Sequence, residues 1–210
     1  MTRIRYWVVI VVAVALLFPW SAGAQPVTFD FDTGAPSLSA GQGIPMNQAS
    51  AGIVATFSSP QGSVFSVQSD ASTQWHMSQF SGLYMYDNNL NLNRLDIVFD
   101  NKLIGIGFAF ATADFQQVEV PTTIQMTAYD VGTGATVGMA TAHGTYASDT
   151  MPMGTLSFSS VSPSFDRVEI TIAPGQPLGA SDFFVDNIVV VKAPIAVKTS
   201  TWGSIKALYR

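Results

Sequence analysis

The chain has no cysteine, two histidines and only 11% charged side chains among its 210 residues. Without cysteine there is no disulfide, no thiol nucleophile and no thiolate metal site. A cysteine-linked lipid anchor is excluded as well. His76 and His143 give no zinc-ligand spacing, and neither a phosphate-binding glycine loop nor a G-x-S-x-G elbow is present. Glutamate occurs only at Glu119, in the strand-edge turn "QVEVPTT", and at Glu169, in "DRVEITI" next to Arg167. An exposed charge pair is the cheaper explanation of Glu169. A glycoside hydrolase needs two carboxylates at a defined separation, so it ranks behind non-catalytic readings, and the chain is not expected to be an enzyme. Nine basic residues stand against fourteen acidic ones, a net of −5. That lacks the basic patch a nucleic acid requires and suits divalent cations. Long helical periodicity and internal repeats are also missing.

What is present begins with "MTRIRYWVVIVVAVALLFPWSAGAQP". Arg3 and Arg5 form a basic start, Trp7 to Phe18 is unbroken apolar sequence, and Ala22-Gly23-Ala24 is a small-x-small cleavage site. These are the parts of a secretory signal peptide. The apolar run is shorter than the roughly 20 residues of a membrane span. Residues 1–24 are therefore expected to be a cleaved signal helix and Gln25 the mature start, with an uncleaved anchor as the alternative. No stable membrane span is expected after cleavage, and the protein is expected to be secreted, extracellular or periplasmic. Losing Arg3 and Arg5 leaves seven basic against fourteen acidic residues, a net of −7.

Past the leader, short runs of β-branched and aromatic residues alternate with Gly, Pro, Ser, Asn and Asp. The strands expected are Val27–Asp32, Ile53–Ser58, Val64–Val67, Leu83–Tyr86, Arg94–Phe99, Leu103–Thr112, Thr122–Val131, Thr136–Ala142, Thr155–Phe158, Arg167–Ala173 and Phe183–Val191. Many short strands with regular turn signals indicate one all-β antiparallel sandwich of jelly-roll type over residues 25–191. Residues 192–210 read as a linker and a short tail. In "TIQMTAYDV", Ile124, Met126, Ala128 and Asp130 share one face, as in a half-buried strand. In "IGIGFAFA", Ile104, Ile106, Phe108 and Phe110 form a bulky face, and Gly105, Gly107, Ala109 and Ala111 a bare one. The bare face serves either close packing or a ligand.

"FFVDNIVV" poses the sharpest question, because a carboxylate inside an apolar strand is costly unless something pairs with it. Simple alternation puts Phe184, Asp186, Ile188 and Val190 on one face and Phe183, Val185, Asn187 and Val189 on the other. In "VTFDFDTG" it puts Val27, Phe29 and Phe31 on one face, and Thr28, Asp30 and Asp32 on the other. The first and last strands of a jelly roll can lie side by side, which would bring Asp30, Asp32 and Asp186 together. A structural Ca²⁺ would resolve their repulsion. Alternatively, Asp186 accepts backbone N–H bonds from a neighbouring loop.

The start "VTFDFDTGAP" and the ending "DFFVDNIVV" together resemble secreted jelly-roll domains of the galactose-binding-like and carbohydrate-binding-module type. The stretches "GIVATFSS", "FSVQSD", "IGFAFATAD" and "SFDRVEITIA" agree with that resemblance. It implies a non-catalytic binding domain and a metal role for Asp186, extended more cautiously to Asp30 and Asp32.

The aromatic stretch "STQWHMSQFSGLYMYDNN" supplies the candidate site. Sugars present apolar C–H faces and many hydroxyls, which aromatic rings flanked by amides and carboxylates can bind. Trp75, His76, Tyr84, Tyr86 and Asn88 are the carbohydrate-binding candidates, against the plainer reading of tyrosines capping a sheet edge. The tail "TSTWGSIKALYR" forms a short amphipathic end, either a docking element for an export or envelope partner or a packed terminus. The function expected is binding of a carbohydrate or cell-surface glycan. A structural or adhesive envelope protein with no small ligand is the rival.

Overall fold

In the computed structural model the chain is described over residues 25–69, 77–87, 93–112, 122–146, 149–176 and 182–194. The leader, Trp75, His76, Asn88, Glu119 and the tail lie outside these residues. Eleven antiparallel strands run β1 Pro26–Phe29, β2 Met46–Ser50, β3 Ile53–Ser58, β4 Phe65–Ser69, β5 Leu83–Asp87 and β6 Arg94–Thr112. They continue with β7 Thr123–Asp130, β8 Ala135–His143, β9 Met153–Ser159, β10 Phe165–Ile172 and β11 Phe183–Lys192. No helix long and apolar enough to cross a membrane occurs among the described residues.

One strand ties the two layers together. The first part of β6 pairs with β3 and β10, and its second part pairs with β9 and β11. Two strands were expected here, broken at Asp100–Lys102. Instead β6 runs through as one strand, its register with β10 shifting between Val98 and Leu103, and the corner is pinned where Asp100 accepts the Val54 N–H at 2.9 Å. The first layer is β2-β3-β6-β10-β7-β8, and the second is β4-β5-β11-β6-β9 with β1 beside β11. Ring contacts close the space between the layers: Phe29 with Phe99 at 6.1 Å, Phe31 with Phe57 at 5.5 Å, and Phe158 with Phe165 at 5.6 Å. β2 was not anticipated, since "MNQAS" carries only one large apolar residue.

The expected pairing of the first and last strands is present, with Val27 opposite Val190 and Phe29 opposite Ile188. The alternation expected for β11 is corrected. Phe183, Val185, Ile188 and Val190 all face the main core, whereas Phe184 belongs to a second cluster on the outer face. A bulge between Asp186 and Val189 inserts one residue and flips the pattern, with Asn187 in the left-handed region at φ 51°. Asn tolerates that conformation better than most residues.

β6 shows both fates of its bare face. Ile106, Phe108 and Phe110 enter the main core as expected, but Leu103 does so in place of the half-buried Ile104. On the other side Ala109 and Ala111 are covered by Phe184, Tyr84, Met151 and Met153. At Gly105 and Gly107 an added Cβ would meet only neighbours in the same sheet, such as Val191 and Ser157.

Candidate functional site

The outer face of the second layer is built around the bulge in β11. β5 pairs with β11 at Phe184 and Val185, and β1 takes over the same edge from Ile188 onward. Asp186 and Asn187 sit at the handover, where neither strand supplies a ladder partner. Their side chains do so for the incoming segment. Ser81 N donates to Asp186 Oδ2 at 3.2 Å, Asn187 N donates to Asp186 Oδ1 at 2.7 Å, and Asn187 Nδ2 donates to the Gln79 carbonyl at 3.3 Å. Leu83 N donates to Asp32 Oδ1 at 3.0 Å, and Gly82, at φ 68°, lies so close to that carboxylate that a Cβ would collide with it. A fourth anchor joins Ser78 N to Asp149 Oδ1 at 2.7 Å. The segment 77–83, which follows directly on Trp75 and His76, is thus fastened to the sheet by three aspartates and an asparagine.

Asp186 is wholly buried. Burial pushes its carboxyl up to about 7; N–H bonds from Asn187 and Ser81 oppose that rise, and the charges of Asp32 and Asp30 add to it. The charges of Asp30 and Asp32 are thus felt at Asp186. Yet no three Asp, Glu or His side chains come together as a metal-holding group among the described residues. Each already has donors of its own, with Thr33 N and Oγ1 both 2.8 Å from Asp30 Oδ1. As described, all three carboxylates are hydrogen-bonded within the protein.

Of the carbohydrate-binding candidates, Tyr84 and Tyr86 are described, and they differ. Both point to the outer face from β5. Tyr84 is 0% exposed, packed against Phe80 at 5.4 Å and Phe184 at 6.0 Å. With no accessible ring it cannot stack on a sugar, so its place in the site is corrected to that of a core residue. Tyr86 is half-buried and lies flat on Phe184, with centroids 4.5 Å apart and planes within 16°. Its hydroxyl is 3.5 Å from Asp182 Oδ2. Burial pushes this phenol up to about 12, and the charges of Asp182 and Asp87 add to the rise, so it stays a neutral donor. Behind it Asn93 Nδ2 holds Asp87 at 2.7 and 3.0 Å. Ser66 faces Tyr86 across β4, with Gln68 Nε2 2.9 Å from its hydroxyl. Asn88 directly follows this strand.

Asp182, Asn93 and Phe184 are site residues that the sequence reading did not single out. Asp182 is the one with a signal, a carboxylate immediately before a fully apolar pair. The partnership of Phe184 with Tyr86 depends on strand register, which no local pattern encodes.

No family model matches the chain, and no curated protein matches it. Three solved structures give a sense of its likenesses. A family 29 carbohydrate-binding module is 11% identical, with a TM-score of 0.34 over 66% of this chain and 90% of that one. The family 11 carbohydrate-binding module from Clostridium thermocellum is 12% identical, with a TM-score of 0.36 over 82% and 98%. A cyclase from Fischerella sp. TAU is 15% identical, with a TM-score of 0.41 over 81% and 100%. At TM-scores below 0.5 none of these likenesses transfers a ligand or an activity.

Proposed function

We propose that the chain is an exported, non-catalytic binding domain whose ligand is a carbohydrate of the cell-surface or matrix glycan class. The Tyr86 rim carries this reading. A half-buried ring is held flat by Phe184 and steadied from beneath by buried polar neighbours, with its hydroxyl 3.5 Å from Asp182 and Ser66 opposite it on β4. A ring fixed in advance offers its face to sugar C–H groups with little loss of side-chain freedom. The non-catalytic part has its own support. Asp96 and Glu169 stand opposite each other on β6 and β10, and both are engaged by Arg94 and Arg167.

The test is a panel of soluble and insoluble glycans against the purified protein and its Tyr86→Ala variant. Retention on at least one glycan, lost in the variant while folding is kept, supports the reading. No retention on any glycan removes it. N-terminal sequencing of the exported protein checks the export part, with Gln25 as the expected first residue. The envelope-scaffold reading is favoured by one observation, the complete burial of Tyr84, which leaves Tyr86 without its expected neighbour in an exposed aromatic row.

A further inference from the structure

The two layers of the sandwich balance their charges differently. Residues 25–194 contain four Lys or Arg, at Arg94, Lys102, Arg167 and Lys192. Three of them serve the acids of the first layer. Arg94 and Arg167 engage Asp96 and Glu169, and Lys102 lies between Asp130 at 2.5 Å and Asp166 at 2.7 Å. Lys192 ends β11, at the far end of that strand from Phe184, and donates to the Gly52 carbonyl at 3.1 Å. No Lys or Arg occurs between Arg5 and Arg94 or between Arg167 and Lys192, the stretches that carry β4, β5 and β11 up to its last residue.

Around Tyr86 the charge is therefore of one sign. Asp182 lies 3.5 Å from its hydroxyl, and Asp87 follows it in β5, held by the Asn93 amide. A neutral donor satisfies a carboxylate and leaves its charge in place. Both carboxylates are buried, so they do not touch a molecule resting on the ring. They act on it through their field, which the protein screens less than water does. The field already registers in the tyrosine, since the charges of Asp182 and Asp87 both add to the rise of its phenol. The first layer shows what such a pair accommodates. There the Tyr129 hydroxyl donates to Glu169, and the Arg167 guanidinium lies over the ring at 5.3 Å. Tyr86 has the same pairing of phenol and carboxylate, and none of the four cations lies over its ring.

We propose that the Tyr86 rim selects among glycans by charge, and that its ligand is a chain of amino sugars whose free amines are protonated. The inference rests on the glycan reading above. An ammonium over a tyrosine face is attracted by the ring quadrupole. Buried negative charge beneath the ring adds to that attraction. A uronic-acid or sulfated chain meets the same charge as repulsion, with no Lys or Arg at the rim among the described residues to offset it. A neutral chain gains from neither effect.

The test is a calorimetric titration of a chitosan hexasaccharide, its fully N-acetylated counterpart, cellohexaose and a galacturonate hexasaccharide into the purified protein, in mildly acidic buffer of low salt. The expected result is that the chitosan chain binds about tenfold or more tighter than the two neutral chains, that the galacturonate chain does not bind, and that the preference shrinks in high salt. Tyr86→Ala should lose the chitosan binding; binding indifferent to that variant reports a general acidic surface and overturns the proposal. Asp182→Asn removes one buried charge and keeps the shape, and should cut the preference for chitosan over cellohexaose by roughly threefold or more. An undiminished preference overturns charge as the selector. Should Asp182→Asn fail to fold, salt decides on the wild type, where a preference that high salt does not reduce overturns the proposal. A neutral or acidic glycan bound as tightly as chitosan, and lost in Tyr86→Ala, overturns the charge selection and leaves the glycan reading standing. No binding of any glycan overturns both.

Discussion

Two tyrosines on opposite outer faces of the sandwich each stand beside carboxylates, and their surroundings differ in kind. Tyr129, on β7, donates to Glu169 at 3.0 Å, and the Arg167 guanidinium covers its ring at 5.3 Å. Arg94 and Arg167 engage both Glu169 and Asp96, so donor, acceptor and ring face there are already matched within the protein. Tyr86 rests on a phenylalanine instead, with its hydroxyl 3.5 Å from Asp182 and no guanidinium over its ring among the described residues. The first face is a solvated ion-pair network of the sort that contributes little to stability. The second is a prepared ring with polar company. A tyrosine next to a carboxylate is therefore not by itself a site; what covers the ring decides.

The comparison can be broken first at the support of the second face. Asp186→Ala leaves the Ser81 and Asn187 N–H groups without their acceptor, and a loss of about 2–4 kcal/mol of stability is expected in denaturant unfolding. An unchanged midpoint would mean that the bulge holds without its carboxylate.

The same residue gives a pH signature. Because the folded state raises this carboxyl to about 7, the folded protein holds a proton that the unfolded chain releases near pH 4. This contribution to stability is present in full below pH 4, falls between pH 4 and 7, and is gone above, a loss on the order of 2–4 kcal/mol. Asp186→Asn should flatten that fall. Excess calcium at pH 8 is expected to leave the midpoint where a chelator leaves it. A clear rise, lost in Asp186→Ala, would instead install a cation among Asp30, Asp32 and Asp186.

Next in size, Tyr86→Ala should weaken glycan binding by about tenfold or more, roughly 1.4 kcal/mol, whereas Tyr84→Phe should leave it unchanged. The smallest effect belongs to the first face. Glu169→Gln should shift stability by less than about 1 kcal/mol, less again in high salt, and should not affect binding. A larger shift would show the network to be structural after all.

The strand pattern was legible because a half-buried strand writes its period into the residues, as Ile124, Met126 and Ala128 do. The adjacency of β1 and β11 followed from the sandwich topology. Three things were not legible. The bulge at Asn187 breaks the very alternation used to assign faces. β2 is held by pairing with β3 rather than by its own composition. Tyr84 and Tyr86 have the same spacing, chemistry and face, and only the overlying segment with Phe80 and Met77 buries one of them. Burial of that kind comes from parts of the chain remote from the strand, so local sequence cannot distinguish the two.

The most direct measurement is a calorimetric titration of the best-retained glycan into the wild type, Tyr86→Ala and Tyr129→Ala. Binding that is lost or at least tenfold weaker in Tyr86→Ala and unchanged in Tyr129→Ala is the expected result. Equal affinity in all three, or a loss confined to Tyr129→Ala, would contradict the placement of a sugar site at the Tyr86 rim.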